Sequence, residues 1–411
     1  MAAPVARALI IVENNSVPFD RRVWREAQTL RDAGWSVAVI SPMAVRYSDG
    51  GTRITGEDAP YELLEGIHVY RYPLEAAEGG PLGFAREYLV AFWWTLRLMR
   101  QVWRERGADV VQVCNPPDFF FPLGWLCRAT GRAFVFDHHD LVPESVSARW
   151  QGGKGAVLGS IARTAERLTM RAAHVVISTN QSYREIALGR GRCAAERVVI
   201  VRNGPKLAQV ARRPPDASLR AGRRYLVGYL GIMGPQDGLE LLLDAVEAVV
   251  HGQGRRDVQF LVVGDGPMRP WLAEEARRRG VEAFVMLPGL AVGMDEWLRY
   301  LSAPDLCLAP EPPTKFNSHS TITKVAEYMA MGQPIVAFDL KETRHTAQDA
   351  AVYVAEPSGR AMADALLALL EDPDRRSEMA RAGLERARTS LSWESQEPEL
   401  LRAYELALRN R

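Results

Sequence analysis

Two stretches of the chain combine residue types and spacings that suit chemistry. In the second half, Ser320 and Thr321 stand directly before an apolar-periodic run that ends at Gly332, which predicts a helix. A serine or threonine at such a start caps the helix, and the N–H groups of its first turn, together with the helix dipole, attract an anion such as a phosphate. Glu327 lies one turn further along. The pattern therefore predicts an anion site beside a carboxylate.

The second stretch is the polar run from Asp137 to Asp140, which directly follows an apolar, strand-like segment at 133–137. Successive strand side chains point to opposite faces, so only one of His138 and His139 can enter a shared site. We expect His138 to be a packed or capping residue. A metal site built from the same run lacks further ligands at workable spacing.

The elements that must position these residues follow an alternating pattern. Strand-like runs at 8–12 and 36–40 flank a helical stretch at 21–33, and further apolar runs occur at 110–113, 133–137 and 175–178. Strands that alternate with helices predict a parallel sheet covered on both faces. In such sheets ligands bind beyond the carboxyl ends of the strands, which is where the histidines lie.

A polar, proline-rich stretch at 203–216 interrupts this pattern, and a second alternating series begins after it. Strand-like runs at 225–230, 259–263, 306–309 and 334–338 are separated by helical stretches. We therefore predict an α/β protein with two Rossmann-like domains, at 1–203 and 204–390. The amphipathic segment at 391–411 is expected to be a helix that packs back on the first domain.

Composition narrows the class of protein. The 411 residues suit two domains, and 51 basic against 50 acidic side chains lack the basic excess of a nucleic-acid binder. The four cysteines, Cys114, Cys127, Cys193 and Cys307, form no C-x-x-C pair, so neither a disulfide framework nor a zinc site is predicted. The start of the chain lacks the features of a secretory signal, and no run approaches the roughly 18 apolar residues of a membrane span. A cytoplasmic protein is expected.

Four passages carry a resemblance to a known family. They are PFDRRVWREA at 18–27, FDHHDLVPE at 136–144, GYLG at 228–231 and STITKVAEYMAMGQP at 320–334. In this order they resemble the retaining glycosyltransferases of family 4. The resemblance implies the GT-B fold, with two Rossmann-like domains facing a central cleft. It also implies transfer of a hexose-type sugar, with retention, from a nucleotide-diphosphate sugar to an acceptor nucleophile, and we expect a UDP-linked donor.

The resemblance places the donor in the second domain. There Ile322 and Thr323 would offer backbone amides to the diphosphate, and Glu327 would bind the ribose. The donor-binding residues so implied are Gly231, Gly234, Asp265, Glu311, Asn317, His319, Ser320, Thr321, Ile322, Thr323, Lys324 and Glu327. The plainer interpretation is that Ser320 only caps its helix and that Glu327 is a solvated helix residue.

The chain departs from the family pattern at the sugar contact. The family carries E-x7-E, but His319 stands eight residues before Glu327, where a glutamate is usual. Glu311, Asn317 and His319 are all candidates to supply the missing contact, and the sequence does not choose among them.

A second departure concerns the diphosphate. The arginine and lysine that many members carry after the first glycine of this loop are here Ile232 and Asp237. Two phosphates still need counter-charge. The candidates are Lys324, Lys315, Arg202, Arg21 and Arg22. A helix face of solvated arginines is the alternative for Arg21 and Arg22.

Catalysis is assigned to the first domain. The resemblance places His139 near the reacting sugar carbon, where it supports the departing phosphate or orients an acceptor hydroxyl. Asp140 is expected to orient His139, and Glu144 to serve the acceptor. Asn115 and Asp118 follow a strand and are candidates to line the acceptor path, although a plain loop would also explain that segment.

No metal or cofactor is expected. The single Asp-x-Asp string, at 372–374, falls in a predicted turn between helices, so we predict a metal-independent enzyme whose diphosphate is stabilised by protein dipoles and cations.

The acceptor is expected to be a small molecule or a lipid-linked compound. A predicted helix at 84–106 mixes aromatic and arginine side chains, which suits contact with the inner face of a membrane. Packing of the aromatic residues in the core is the alternative. The aromatic residues of this helix are Phe92, Trp93, Trp94 and Trp103, and its arginines include Arg97, Arg100, Arg104 and Arg106.

Other functions fit the same fold. A nucleotide-sugar epimerase or a phosphorylase is the alternative enzyme, and a degenerate sugar-nucleotide-binding module is the alternative from another class.

Overall fold

The computed structural model describes residues 5–43, 59–74, 80–149 and 153–411. The chain divides into two compact units. Unit 1 comprises Met1–Val201 and Glu397–Arg411, and unit 2 comprises Arg202–Gln396. Each unit has its own sheet and its own hydrophobic core.

Unit 1 is built on a sheet of eight strands. They are β1 (Arg7–Val12), β2 (Ser36–Pro42), β3 (Tyr61–Leu64), β4 (Ile67–Tyr72), β5 (Val110–Cys114), β6 (Ala133–His138), β7 (Val175–Ser178) and β8 (Val198–Ile200). Their order is β3-β4-β2-β1-β5-β6-β7-β8, and every pairing is parallel except that of β3 with β4. The parallel strands β1 and β5 to β7 are buried almost throughout, as expected for strands covered on both faces.

The described residues between these strands form six α-helices. They are α1 (Arg21–Asp32), α2 (Gly80–Glu105), α3 (Phe121–Ala129), α4 (Val142–Arg149), α5 (Gly153–Ala172) and α6 (Gln181–Gly189). Helix α1 begins where the Asp20 carboxylate accepts a hydrogen bond of 3.0 Å from the Val23 N–H. It ends before Gly34, whose φ of 87° is a left-handed conformation that glycine adopts readily.

Unit 2 has six strands, all paired in parallel. They are β9 (Tyr225–Leu230), β10 (Val258–Val263), β11 (Val285–Gly289), β12 (Leu306–Ala309), β13 (Ile335–Phe338) and β14 (Ala351–Val354), in the order β11-β10-β9-β12-β13-β14. The helices are α7 (Leu239–Glu247), α8 (Arg269–Arg278), α9 (Gly293–Ser302), α10 (Lys315–His319), α11 (Thr323–Ala330), α12 (Lys341–Ala347), α13 (Gly359–Leu370) and α14 (Pro373–Arg386). Short π-helical segments at Ala248–Gly252 and Ala387–Leu391 extend α7 and α14.

The last helix, α15 (Trp393–Arg409), returns the chain to unit 1. Its Tyr404 is fully buried, donates a hydrogen bond of 2.9 Å to the Gln112 Oε1 on β5, and meets the Trp35 ring edge-on at 5.3 Å. The predicted packing of the terminal helix on the first domain is therefore confirmed.

Each sheet has a point at which the strand order reverses direction. In unit 1 it lies between β1 and β5, and in unit 2 between β9 and β12. Loops that leave the carboxyl ends of such strands diverge and form a crevice, which is where α/β proteins bind ligands. The twin parallel sheets confirm the predicted α/β class.

One segment differs from the sequence expectation. The stretch before Ser320 contains the short helix α10, which the sequence patterns do not predict; its N-cap is Thr314, whose hydroxyl accepts the Asn317 N–H at 3.1 Å. The following helix, predicted to start near Ser320, starts at Thr323.

Candidate functional site

Unit 2 brings a lysine and a glutamate together at its switch point. Lys324 lies in the first turn of α11 and Glu311 follows β12; the Lys324 Nζ is 2.5 Å from the Glu311 Oε1 and donates to the Tyr229 hydroxyl at 3.0 Å. Burial disfavours the charge on Lys324, but Glu311, Tyr229 and Asp237 together outweigh burial and raise the pKa, so the ammonium persists at neutral pH. An ammonium has three N–H donors, and these two partners take two of them.

Of the three residues that the sequence offers for the donor-sugar contact, Glu311 has a carboxylate oxygen that is not hydrogen-bonded among the described residues. The residue is only 2% exposed, and its second oxygen, Oε2, has no hydrogen-bond partner among the described residues. A buried carboxylate oxygen without a donor is unfavourable by about 1–3 kcal/mol. A ligand hydroxyl that reaches this oxygen would remove the penalty.

The glycine loop after β9 packs closely on this pair. A Cβ at Gly231 would lie 2.7 Å from the Lys324 Cε, and a Cβ at Gly238, where φ is 72°, would overlap the Pro310 carbonyl oxygen. Asp237, which stands where the family has a cation, accepts the Gly234 N–H at 2.9 Å and lies 3.9 Å from the Lys324 Nζ. Asp237 thus closes the turn around Lys324.

Helix α11 begins without a side-chain cap. The residue at its N-cap position is Ile322, which makes no side-chain capping bond, and the Ser320 hydroxyl instead donates to the Phe316 carbonyl at 2.9 Å. The expectation that Ser320 caps this helix is therefore wrong, because Ser320 belongs to the end of α10. Glu327 lies half-buried one turn into α11.

Asn317 and His319, the other candidates for the missing sugar contact, are engaged with the backbone. The buried Asn317 amide donates to the carbonyls of Gln236 and Pro312, each at 3.0 Å, and so ties α10 to the glycine loop. The His319 Nδ1 lies 2.7 Å from the Lys315 carbonyl oxygen, which can only accept, so Nδ1 carries the proton.

The remaining predicted donor residues lie around this cluster. Thr321 is half-buried, and Thr323, Lys315 and Asp265 are exposed. The Asp265 carboxylate accepts the Gly266 N–H at 2.9 Å. Among the described residues, the Nη1 of half-buried Arg202 is buried without a hydrogen-bond partner, and burial lowers the pKa of its guanidinium.

In unit 1, His139 is held at the carboxyl end of β6. Its backbone N–H donates to the Asn115 Oδ1 at 2.8 Å, and its Nδ1 donates to the Asp137 Oδ2 at 3.2 Å. Burial lowers the pKa of the imidazole, but the hydrogen bond and charge of Asp137 outweigh burial and raise that pKa to about 9. His139 is therefore protonated at neutral pH. Asp140 was expected to orient the ring, but the carboxylate bonded to it is that of Asp137.

Arg22 holds the other side of Asp137. Its Nε and Nη2 each donate to the carboxylate at 2.7 Å, and its Nη1 donates to the Val201 carbonyl at 3.1 Å. Arg22 is buried, so the alternative of a solvated arginine is wrong, and its guanidinium is already bonded to Asp137 and Val201. Arg21, the next residue on the helix, is exposed.

A group of potential metal ligands lies around this arginine. Ligand atoms of Glu26, Cys114 and Asp137 lie within 4.8 Å of one another. The Arg22 guanidinium already ion-pairs with both carboxylates, Glu26 at 3.2 Å and Asp137 at 2.7 Å. Burial also keeps the pKa of the Cys114 thiol well above its usual range. This group therefore has an internal cation.

Asn115 organises the loop that was predicted to line the acceptor path. Its amide nitrogen donates to the Asp118 Oδ1 and to the Asp140 carbonyl, each at 2.8 Å, while its oxygen accepts the N–H groups of His139 and Asp140. Burial raises the pKa of Asp118, whose Oδ2 lacks a partner among the described residues. Asn115 therefore holds the loop of His139 and Asp140 in place, and Asp118 in turn holds Asn115.

Glu144 was expected to serve the acceptor, but it is engaged in an ion pair. The Arg190 Nη2 donates to the Glu144 Oε1 at 2.6 Å, and the same guanidinium binds Glu166 at 2.8 Å. Glu166 in turn lies 3.2 Å from the Nε2 of His138, which is fully buried, as the strand alternation predicted. The local sequence gave no sign of Arg190, 46 residues away from Glu144.

Helix α2 combines core packing with an exposed stripe. Phe92, Trp94 and Trp103 pack against the core of unit 1, which agrees with the alternative that the aromatic residues of this helix belong to the core. Trp93, however, is 54% exposed. Beside it Leu89 is 68% exposed. Among the described residues, no helix is long and apolar enough to span a membrane.

Two family models match the chain. Residues 20–204 match the model described as Glycosyl transferase 4-like domain, and residues 224–372 match the model described as Glycosyl transferases group 1. Together these matches take in most of both units.

Two curated proteins and a solved structure are similar to the chain over half of its length or more. An alpha-D-kanosaminyltransferase of Streptomyces kanamyceticus is 28% identical over 350 residues, which cover 79% of this chain and 86% of that protein. A phosphatidyl-myo-inositol mannosyltransferase of Mycobacterium leprae is 30% identical over 223 residues, 50% of this chain and 53% of that protein. The solved structure of Anabaena HepE in complex with UDP superposes with a TM-score of 0.67 at 17% identity, over 97% of this chain and 99% of that one.

Proposed function

The chain belongs to the group 1 glycosyl transferases of GT-B fold, and from this premise we propose that it transfers a hexose-type sugar, with retention, from a UDP-linked donor to an acceptor nucleophile. The observation that carries the proposal is the buried Lys324–Glu311 pair at the switch point of unit 2. A lysine kept charged beside a glycine loop and an uncapped helix start suits a diphosphate.

The donor diphosphate would bind at the start of α11. The amides of Ile322 and Thr323 and the third N–H of Lys324 are the donors available for its oxygens. Glu311 Oε2 would accept a hydroxyl of the sugar, in place of the family glutamate whose position His319 occupies. UDP in the Anabaena structure supports uridine as the base.

His139 would stabilise the leaving group. As an imidazolium bonded to Asp137, it carries the positive charge that a departing phosphate needs, and it is a poor general base at neutral pH. This supports the electrostatic role over activation of the acceptor hydroxyl. With Lys324 and the α11 amides also facing negative charge, we propose that no divalent metal is required.

A donor panel tests this proposal. Thermal unfolding is measured with UDP, GDP, TDP and ADP, since a bound ligand raises stability by an amount that grows with its affinity. We expect UDP to stabilise most and the shift to survive EDTA. Stabilisation only by another nucleotide, or only with added Mg²⁺ or Mn²⁺, would contradict the donor or metal assignment respectively.

A second measurement separates transfer from the alternative chemistries. Sugar nucleotide is monitored by NMR with and without acceptor preparations. Transfer releases UDP and forms an α-glycoside from an α-linked donor, whereas an epimerase converts the donor without any acceptor. A phosphorylase would instead consume glycoside and phosphate.

The exposed stripe of α2 supports a lipid-linked acceptor and peripheral membrane contact. Leu89, Val90 and Trp93 are exposed on the first half of the helix, and exposed arginines continue the same stripe at 97, 100 and 104. The opposite face is buried. The core-packed side of the same helix contacts the predicted acceptor loop, because the Phe92 ring lies 5.8 Å from that of Phe119, the residue after Asp118. Apolar side chains followed by arginines suit an anionic bilayer surface.

Vesicle binding tests this part separately. We expect the protein to sediment with phosphatidylglycerol vesicles in low salt, and Trp93→Ala to reduce binding severalfold. Trp125→Ala is the matched control, because Trp125 is also 54% exposed but lies on α3. Equal binding of both variants, or no binding of the parent, would leave a water-soluble acceptor as the better proposal.

A further inference from the structure

A continuous chain of buried polar contacts runs from the terminal helix to His139. On α15, Tyr404 donates to the Gln112 Oε1 at 2.9 Å, and the Gln112 Nε2 donates to the Glu26 Oε2 at 2.6 Å. Glu26 pairs with the Arg22 Nη2 at 3.2 Å, and Arg22 binds Asp137 through two bonds of 2.7 Å. Asp137 then accepts the His139 Nδ1–H.

The side chains between the two ends are all buried. Gln112, Glu26, Asp137 and Tyr404 are fully buried, and Arg22 is nearly so. They come from four separate elements, β5, α1, β6 and α15, so no local sequence preference brings them together. The Tyr404 hydroxyl, the Gln112 amide and the Arg22 guanidinium each donate to an acceptor within this series of contacts, which fixes the orientation of these three groups.

Resting on the proposed role of His139, we propose that Glu26, Gln112 and Tyr404 are positioning residues that act through Arg22 and Asp137 on the imidazole, so that docking of the terminal helix sets the orientation and charge of the catalytic group. Tyr404 fixes the Gln112 amide, the amide keeps a donor on Glu26, and Glu26 shares Arg22 with Asp137. This series of contacts thereby links helix α15 to His139 in unit 1.

The direction of the effect follows from the charges around the ring. The groups that act on His139 are Asp137 and Asp140 from β6 and its loop and Arg22 and Glu26 from α1, with Asp20 and Cys114 next to them. Burial raises the pKa of Glu26, and the Gln112 hydrogen bond, which favours the charged form, limits that rise. Without this hydrogen bond Glu26 takes up a proton more readily, negative charge is lost near the ring, and the pKa of His139 falls.

Two variants test this chain of buried polar contacts. In Tyr404→Phe and in Glu26→Gln we expect the NMR titration of the His139 ring to move to lower pH, and the pH at which kcat declines to move with it. On the neutral-pH plateau, where the ring stays charged, we expect kcat to fall roughly three- to tenfold, the size of one lost hydrogen bond, because the ring is less well oriented, while KM for the donor stays within about twofold. The His139 signal is assigned by its loss in His139→Gln.

Tyr70→Phe is the matched control. Tyr70 is also a buried tyrosine of unit 1, and its hydroxyl donates to Glu105 at 2.8 Å, outside the chain of contacts. We expect it to lose stability as Tyr404→Phe does, without moving the His139 titration. Titrations in Tyr404→Phe and Glu26→Gln that coincide with the parent would overturn the proposal. Full activity of His139→Gln would instead remove the catalytic role, while the titration still reports on the chain.

Discussion

Unit 1 and unit 2 each bury a small cluster of charges at a strand end, but with opposite centres. In unit 1 a carboxylate, Asp137, lies between two cations, Arg22 and His139. In unit 2 an ammonium, Lys324, lies between Glu311 and Asp237. The cluster of unit 1 therefore has a titratable cation, His139, on its outside. The cluster of unit 2 has a permanent cation, Lys324, at its centre.

This difference separates two tasks that the proposed reaction needs. The pKa of Lys324 is raised further above neutrality, so the charge offered to a diphosphate does not change across the physiological range. The pKa of His139 is raised to about 9, so its charge can be lost within reach of experiment. Donor binding should therefore stay constant as the pH rises toward 9, whereas turnover should decrease.

The largest effect that would test this division is expected from His139→Ala. The variant removes a group whose proposed role is electrostatic stabilisation of the leaving group, so kcat should fall about 10²- to 10³-fold. The thermal shift caused by UDP should persist, because the proposed donor contacts all belong to unit 2. His68→Ala, a partly exposed histidine bonded to Tyr61, is the control. A loss of UDP binding in His139→Ala would contradict the separation.

The next largest effect is expected from Lys324→Met. Removing one partner of a buried pair costs about 3–5 kcal/mol, because Glu311 is left buried and uncompensated. The free energy of unfolding, measured in urea, should fall by that amount, and the UDP shift should vanish. Arg360→Met, at an exposed cation in the first turn of α13, is the control and should change stability by less than about 0.5 kcal/mol.

A double variant separates folding from binding at this pair. Lys324→Met with Glu311→Leu replaces both charges by apolar groups and should recover most of the lost stability. It should not recover the UDP shift. Recovery of nucleotide binding would show that the pair only supports the fold.

A smaller effect concerns pH. His139 has a folded-state pKa above its ordinary 6.5, so its stabilising contribution is complete below about pH 6.5 and is lost as the pH rises through about 9. Glu26, whose pKa burial raises to about 8, weakens the fold in the same direction between about pH 4.5 and 8. We expect the Tm of the parent to fall between pH 7 and 9.5 more steeply than that of His139→Gln. Parallel Tm curves would mean that His139 titrates normally.

Local patterns predicted the strands and the long helices well, because burial on both faces leaves continuous apolar runs such as 110–113 and 225–230. They failed where partners lie far apart in the chain. Arg22 looked like one of several solvated helix arginines, but its partner Asp137 is 115 residues away. Glu311 and Lys324 were both candidates and lie only 13 residues apart, but the helix α10 between them was not predicted, so their pairing was not either.

The smallest expected effect compares the starts of two helices. Helix α1 in unit 1 has a side-chain cap, Asp20, whereas α11 in unit 2 has none, because Ser320 bonds back to Phe316. Asp20→Ala should therefore cost about 1 kcal/mol of stability. Ser320→Ala should cost less and change the affinity for UDP by less than about threefold, since its hydroxyl is not the cap of α11. A large loss of UDP affinity in Ser320→Ala would mean that the hydroxyl turns to the diphosphate on binding, and the start of α11 would then resemble the side-chain-capped start of α1 rather than an amide-only anion site.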